Sequence, residues 1–160
     1  MNYHDIKKDD MLNGDGIRVV LFVSGCSHHC KGCQNPETWA CTSGIKFDEN
    51  TKDEIYTELE KNYISGLTLS GGDPLNENNL DDILSLVKDI KEKFQDKTIW
   101  IYTGYTYDEL LSDLPNMKKR REILSYCDVL VDGKFEKDKA DMNYPFEGST
   151  NQKIIKLIEK

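Results

Sequence analysis

Cys26, Cys30 and Cys33 place three of the chain's five cysteines within the eight residues "CSHHCKGC". Thiolates spaced C-x3-C-x2-C on one short loop can point to a common centre. Soft sulfur donors select iron–sulfur clusters, zinc or copper. A structural zinc site wants four ligands. His28, His29 and Cys41 are the candidates for a fourth, but histidines set between the cysteines cannot easily turn to the same ion. Cys41 lies eight residues beyond Cys33, past Pro36. A four-iron cubane held by three cysteines leaves one iron without a protein ligand, and that iron can take the amine and carboxylate of a small molecule. An odd number of cysteines, with no apolar leader at the N-terminus, argues against a disulfide framework and for metal or redox chemistry in a reducing compartment. Cys30 and Cys33 also read as C-x-x-C, but without the setting of a thioredoxin-type oxidoreductase.

Three further short stretches carry residue types suited to ligand contact. "SGGDP" at 70–74 has two glycines, Gly71 and Gly72, whose missing Cβ would let backbone approach a ligand, followed by Asp73. "YTGY" at 102–105 offers Thr103 and Tyr105 to a cavity. "DGK" at 132–134 puts Asp132 and Lys134 on one face of an extended segment, and a lysine there suits a carboxylate.

The elements that would position these stretches follow from hydrophobic periodicity. Apolar runs at 18–23, 66–70, 98–102, 128–132 and 153–158 read as strands. Residues 79–94 carry Leu80, Ile83, Leu84, Val87, Ile90 and Phe94 at helical spacing. Thr51 with Glu54, and Thr106 with Glu109, fit capping boxes that open two more helices, and 117–126 continues as helix. Strand and helix alternate. The expectation is a single α/β domain over residues 1–160, with a parallel sheet of about five strands and right-handed crossovers. In such sheets functional loops lie at the carboxyl ends of strands. The cysteines, "SGGDP", "TGY" and "DGK" each follow an expected strand, so they should meet at one rim. Cys127 reads as a small buried hydrophobe, and Cys41 has no assigned role.

The formal net charge is −8, with 38% hydrophobic and 31% charged residues. The cluster Lys118, Lys119, Arg120 and Arg121 is the one basic run, and it reads as a solvated helix face rather than a nucleic-acid surface. No stretch is apolar enough to span a membrane. "MNYHDIKKDDMLNGDG" is not a secretory signal, so a cytoplasmic protein is expected.

C-x3-C-x2-C is the signature of the radical S-adenosylmethionine superfamily. The stretches "NGDGIRVVLFVSGCSHHCKGCQNPETW", "LTLSGGDPL", "IYTGYT", "DVLVDGKF" and "GSTNQKII", in this order, resemble the glycyl-radical activases that serve anaerobic ribonucleoside-triphosphate reductases. The likeness covers about residues 2–156. It implies an open partial (β/α) barrel and a [4Fe–4S] cluster on Cys26, Cys30 and Cys33. It further implies S-adenosylmethionine contacted by Gly32, Cys33, Gln34, Gly71, Gly72, Asp73, Asp132 and Lys134. Asp73 stands where the superfamily often has glutamate; the shorter arm implies a contact made chiefly by backbone. Asp132 would meet ribose hydroxyls and Lys134 the cofactor carboxylate. Asn13, Gly14, Asp15, Gly16 and Arg18 resemble a stretch found near the site in related activases. Asn35 and Trp39 would shape the cluster loop, and the polar loop 148–152 would lie near cofactor or partner. The implied reaction is reductive cleavage of S-adenosylmethionine to a 5′-deoxyadenosyl radical, which takes a hydrogen from one glycine of the reductase large subunit. A small redox protein such as flavodoxin or ferredoxin would supply the electron. The alternatives are an activase of another glycyl-radical enzyme, of the formate-lyase type, and a small zinc-binding module.

Overall fold

The structure, a computed structural model, describes residues 1–26, 40–112, 114, 117–133 and 152–157. Strands β1 (Asn2–Asp10), β2 (Ile17–Val23), β3 (Ile45–Lys46), β4 (Ile64–Gly71), β5 (Thr98–Tyr102), β6 (Val129–Asp132) and β7 (Lys153–Lys156) form one open sheet. Their order is β3-β1-β2-β4-β5-β6-β7. The four middle strands β2, β4, β5 and β6 are parallel neighbours. They follow chain order without reversal, and the helices between them are α1 (Glu49–Leu59), α2 (Leu80–Lys93), α3 (Tyr107–Leu111) and α4 (Met117–Leu124).

Side chains alternate across the pleat, so each middle strand has one face for the helices and one for the open side. Val19, Leu21 and Val23 of β2, Leu67 and Leu69 of β4, Ile99 and Ile101 of β5, and Leu130 of β6 are buried in one core. Ile55 and Leu59 of α1, Ile83, Val87 and Ile90 of α2, and Ile123 of α4 close it. On the opposite face Trp100, Val129 and Val131 form a second, smaller cluster with Tyr102 against it.

All five expected strands are present, and two corrections apply. Among the described residues the sheet has seven strands, and it is parallel only in its middle. β1 lies antiparallel to β2 and β3 antiparallel to β1, while β7 lies antiparallel to β6. β1, "NYHDIKKDD", is mostly polar and half-exposed. Its main-chain ladder to β2 holds it, and a ladder leaves no hydrophobic period in the sequence. β3 is two residues long, too short for any period. The helix capping at 51 is also corrected. Asp48 is the N-cap, its Oδ1 accepting from the Thr51 amide at 3.0 Å while Thr51 Oγ1 accepts from the Asp48 amide at 3.3 Å. Thr51 is therefore the inner member of the box rather than its start. The second box stands as expected: the Glu109 amide donates to Thr106 Oγ1 at 3.1 Å.

Arg18 is moved furthest from its expectation. It lies at the amino end of β2, opposite Gly66 in the register, whereas the cysteine loop leaves the carboxyl end. Its side chain is 1% exposed. It donates to Thr68 Oγ1, to Thr98 Oγ1, and to the carbonyls of Asp15, Leu67 and Thr98, at 2.8–3.0 Å. The guanidinium also sits over the Trp100 ring. Burial pulls its pKa down to about 10, with Asp128 and Asp15 opposing, which leaves it charged at neutral pH. Arg18 pins the far end of three strands and has no part in the rim where the site forms.

The basic run is not one solvated face. Lys119 pairs with Asp81. Arg120 is buried, its Nε donating to the Leu75 carbonyl at 2.8 Å. Arg121 donates to the carbonyls of Ser112 and Leu110 at the end of α3. Among the described residues no helix is long and apolar enough to cross a membrane.

Cys127 is fully buried, and its thiol donates to the Ile123 carbonyl at 3.4 Å. Burial pushes the thiol pKa up, and the nearby Asp128 adds to the shift. The thiolate is the form that alkylates. Iodoacetamide at pH 8 is therefore expected to leave Cys127 unmodified in the native protein and to label it in urea, as read by peptide mass spectrometry.

Candidate functional site

The described parts of the four motifs meet at the carboxyl edge of the parallel strands, linked in sequence by hydrogen bonds. Cys26 lies three residues past the end of β2 and is half-buried. The stretch between is tied to the β4 loop: the Gly72 amide donates to the Val23 carbonyl at 2.8 Å and the Asp73 amide to the Gly25 carbonyl at 2.8 Å. The β4 loop is tied to the β5 loop through the Asp73 carboxylate. Thr103 Oγ1 lies 2.9 Å from both carboxylate oxygens, and the Gly104 amide donates to Oδ2 at 3.0 Å. The Leu75 amide donates to Oδ1 at 2.9 Å, closing the turn onto its own side chain. The β5 loop is tied to β6 by the Thr103 amide on the Val131 carbonyl and the Gly133 amide on the Tyr105 carbonyl, at 3.1 and 3.0 Å. Segments from Gly25 to Gly133, far apart in sequence, thus form one continuous rim.

This geometry refines the expected roles. Gly71 has φ +99°, and a Cβ there would stand 2.5 Å from the Val23 amide nitrogen. A backbone neighbour cannot yield, so the glycine is required by the passage of β2. Asp73 is 1% exposed. Its carboxylate is bonded by Leu75 of its own loop and by Thr103 and Gly104 of the β5 loop, so it ties the two loops together. Thr103 is buried against Asp73. Tyr105 packs on the main core, with the Arg120 guanidinium 4.8 Å from its ring centre. These two side chains therefore support the rim from the helix side; Tyr102, on the smaller cluster, belongs to the open face. Asp132 is buried too. Its Oδ2 accepts from the Tyr107 amide at the start of α3 and its Oδ1 from the Lys153 amide at the start of β7, at 2.8 and 3.1 Å. Gly32, Cys30, Cys33, Gln34, Asn35, Trp39, Lys134 and His28 and His29 lie outside the described residues, as do residues 148–151 of the polar loop. At the end of that loop, Gln152 Nε2 donates to the Gly133 carbonyl at 3.0 Å, against the "DGK" turn.

Two residues of the site were not legible in the sequence. Cys41 is distant from Cys26 along the chain, yet its sulfur packs on Gly25: a Cβ at Gly25 would stand 2.8 Å from Cys41 Sγ. The thiol donates to Asn76 Oδ1 at 3.7 Å. Arg120 belonged to an apparently solvated charge run. Its position in α4, on the same face as Met117, Ile123 and Leu124, is the helical period that could have revealed it. It holds Leu75 after the "SGGDP" turn and stacks on Tyr105 after "TG", so it braces two rim loops from behind. Replacing Arg120 by Met removes a planar donor and leaves the Leu75 carbonyl short of a partner. The expected loss is about 1–3 kcal/mol in urea unfolding, and Lys at this position is expected not to restore it, since an ammonium does not stack as a guanidinium does.

The donor set suits an iron–sulfur cluster. Cys26 sits at the mouth of the rim, the other two thiols follow within seven residues, and soft thiolates are the ligands such clusters take. The segment that leads to Cys26 is bonded to Gly72 and Asp73, and Asp73 in turn to Gly104.

Residues 12–155 match the family described as a 4Fe-4S single cluster domain. The chain is also similar to proteins named anaerobic ribonucleoside-triphosphate reductase-activating protein. One from Pasteurella multocida (strain Pm70) is 45% identical, with 99% of each chain covered. One from Enterobacteria phage T4 is 44% identical, covering 96% of this chain and 93% of its own. One from Escherichia coli (strain K12) is 42% identical over 98% of this chain and 99% of its own.

Proposed function

The chain belongs to the family of anaerobic ribonucleoside-triphosphate reductase-activating proteins, and from this we propose that it is a radical S-adenosylmethionine enzyme that installs a glycyl radical on such a reductase. The observation that carries the reading is the bonding of Val23 and Gly25, which lead into the cysteine loop, to the Gly72–Asp73 backbone at one sheet edge. Cys26, Cys30 and Cys33 would hold a [4Fe–4S] cluster. When bound, the reduced cluster supplies the electron that splits the sulfonium of S-adenosylmethionine, so that the deoxyadenosyl fragment can remove a hydrogen from a reductase glycine.

The chain's own groups do the rest of the work. The backbone at Gly72–Asp73, pinned to Val23 and Gly25, presents polar groups to the methionyl end of the cofactor. Each carboxylate oxygen of Asp132 holds one amide and retains acceptor capacity for a ribose hydroxyl, and Lys134 would meet the carboxylate. Val131 and Tyr102, in the apolar cluster on the sheet face away from the helices, would help keep water from a reactive fragment. No acid–base pair is required. The electron would come from a small redox protein such as flavodoxin or ferredoxin, in a cytoplasmic setting.

Anaerobic reconstitution tests the reading. The expected product is brown, with absorption near 400 nm, and after reduction it releases 5′-deoxyadenosine. With the reductase it gives a glycyl-radical EPR doublet. A colourless, zinc-loaded protein, or EPR silence with bound S-adenosylmethionine and reductase present, would overturn it.

A further inference from the structure

Asn79 is the residue before α2 and takes the position where an asparagine ordinarily caps its own helix. It makes no such cap. Asn76, three residues earlier, caps the short 3₁₀ turn instead, accepting from the Asn78 amide at 3.0 Å. The Asn79 carboxamide turns inward, where it is 1% exposed. Its Nδ2 donates to the Ser24 carbonyl at 2.8 Å and to the Asp73 carbonyl at 2.9 Å. Both hydrogens of one amide are thus used to join the segment entering the cysteine loop to the turn that follows Gly71 and Gly72. The Oδ1 of the same side chain is buried without a hydrogen-bond partner among the described residues. Forgoing a cap and leaving a buried acceptor unpaired both work against stability. A group kept at that cost is better explained by what it aligns than by what it stabilises.

We infer that Asn79 is a positioning residue for S-adenosylmethionine. It fixes the separation between the cluster-bearing loop and the backbone that receives the methionyl group. The inference rests on the function proposed above. The link lies beside two others, Gly72 to Val23 and Asp73 to Gly25, which join main chain to main chain. Among the described residues, the Asn79 side chain bonds both segments at once from the position that precedes α2, a helix anchored in the core through Leu80 and Ile83. An ammonium makes a comparable double contact at the other end of the sheet. Lys97 Nζ donates to the Lys61 and Ile64 carbonyls at 3.1 and 2.6 Å. Lys97 is buried and remote from the rim, so it serves as a matched control.

The experiment compares Asn79→Leu, Asn79→Ser and Lys97→Met with the unaltered chain. Two readouts are taken: steady-state cleavage of S-adenosylmethionine by reconstituted protein, and amide hydrogen exchange at Gly72 and Asp73. Both Asn79 variants are expected to raise KM for S-adenosylmethionine about tenfold while kcat changes less than threefold, and to speed exchange at Gly72 and Asp73 about tenfold. Lys97→Met is expected to lower the melting temperature without either effect. Serine is included because its smaller side chain admits water at the two carbonyls should leucine impair folding. Asn79 variants with unchanged KM, and exchange no faster than in Lys97→Met, would reduce Asn79 to a structural residue. An unaltered chain that binds no S-adenosylmethionine sinks the proposed function, and this inference falls with it. Unaltered binding with equally tight variants sinks this inference alone.

Discussion

Serine in place of any one of Cys26, Cys30 or Cys33 is expected to reduce S-adenosylmethionine cleavage to background, together with loss of iron and of absorption near 400 nm. A hydroxyl is a hard, neutral donor where the cluster requires a soft thiolate. On the proposed ligation each of the three thiolates holds one iron, so none of them is dispensable. The other two cysteines provide the contrast. Cys127→Ala removes one buried sulfur from the helix side and is expected to cost about 1 kcal/mol with cleavage intact. Cys41→Ala is expected to keep cleavage within about threefold, because its sulfur packs on Gly25 and bonds Asn76 and so touches the loop without being required as a ligand. The assay is iron content and 5′-deoxyadenosine release after parallel reconstitution. Loss in Cys41→Ala equal to that in Cys26→Ser would force a different ligand set.

Asp73→Ala is expected to be the most damaging single change at the rim outside the cysteines. It strips acceptors from the Thr103 hydroxyl and from the Gly104 and Leu75 amides, all at or near the floor of the site. Buried donors left unpaired cost about 1–3 kcal/mol each, and they are not additive. A total near 3–5 kcal/mol is the reasonable expectation, a large part of the about 5–15 kcal/mol that holds a domain together. The effect belongs to the cluster-free protein as much as to the loaded one, which separates a staple from a ligand. Urea unfolding of the apoprotein measures it. Asp73→Glu is expected to fare little better, although glutamate is common there in the superfamily: the side chain is 1% exposed, and one added methylene pushes the carboxylate into Thr103 and Gly104. An apoprotein of unchanged stability in Asp73→Ala, with only cofactor affinity reduced, would show that the carboxylate acts on the ligand instead.

The contrast between Asp73 and Arg18 shows where reading the chain runs out. Both sit in stretches that resemble functional ones. Asp73 falls at the carboxyl end of β4 and joins the site; Arg18 falls at the amino end of β2 and pins the opposite edge. A motif shows that a residue is special without showing at which end of a strand it is used. Likewise Lys119, Arg120 and Arg121 look alike as letters, but the register of α4 sends Arg120 inward to Leu75 and Tyr105 and leaves Lys119 at the surface with Asp81. β1 had no clear periodic signal because only Tyr3 and Ile6 of its mostly polar side chains pack on the core, and its ladder to β2 does the rest.

The sequence alone determined whatever depends on near neighbours. Thiol spacing points to a soft-metal centre, short apolar runs indicate buried strands, and Thr106 with Glu109 marks a helix start, because each needs only a few adjacent residues. The tertiary structure decided which distant groups meet. Cys41 reaches Gly25, Asn79 reaches Ser24 and Asp73, and Asp73 reaches Thr103 only after the strands align in register. Hydrogen bonds act over about 3 Å, so such partners are set by the packing of strands whose separation along the chain carries no record of them.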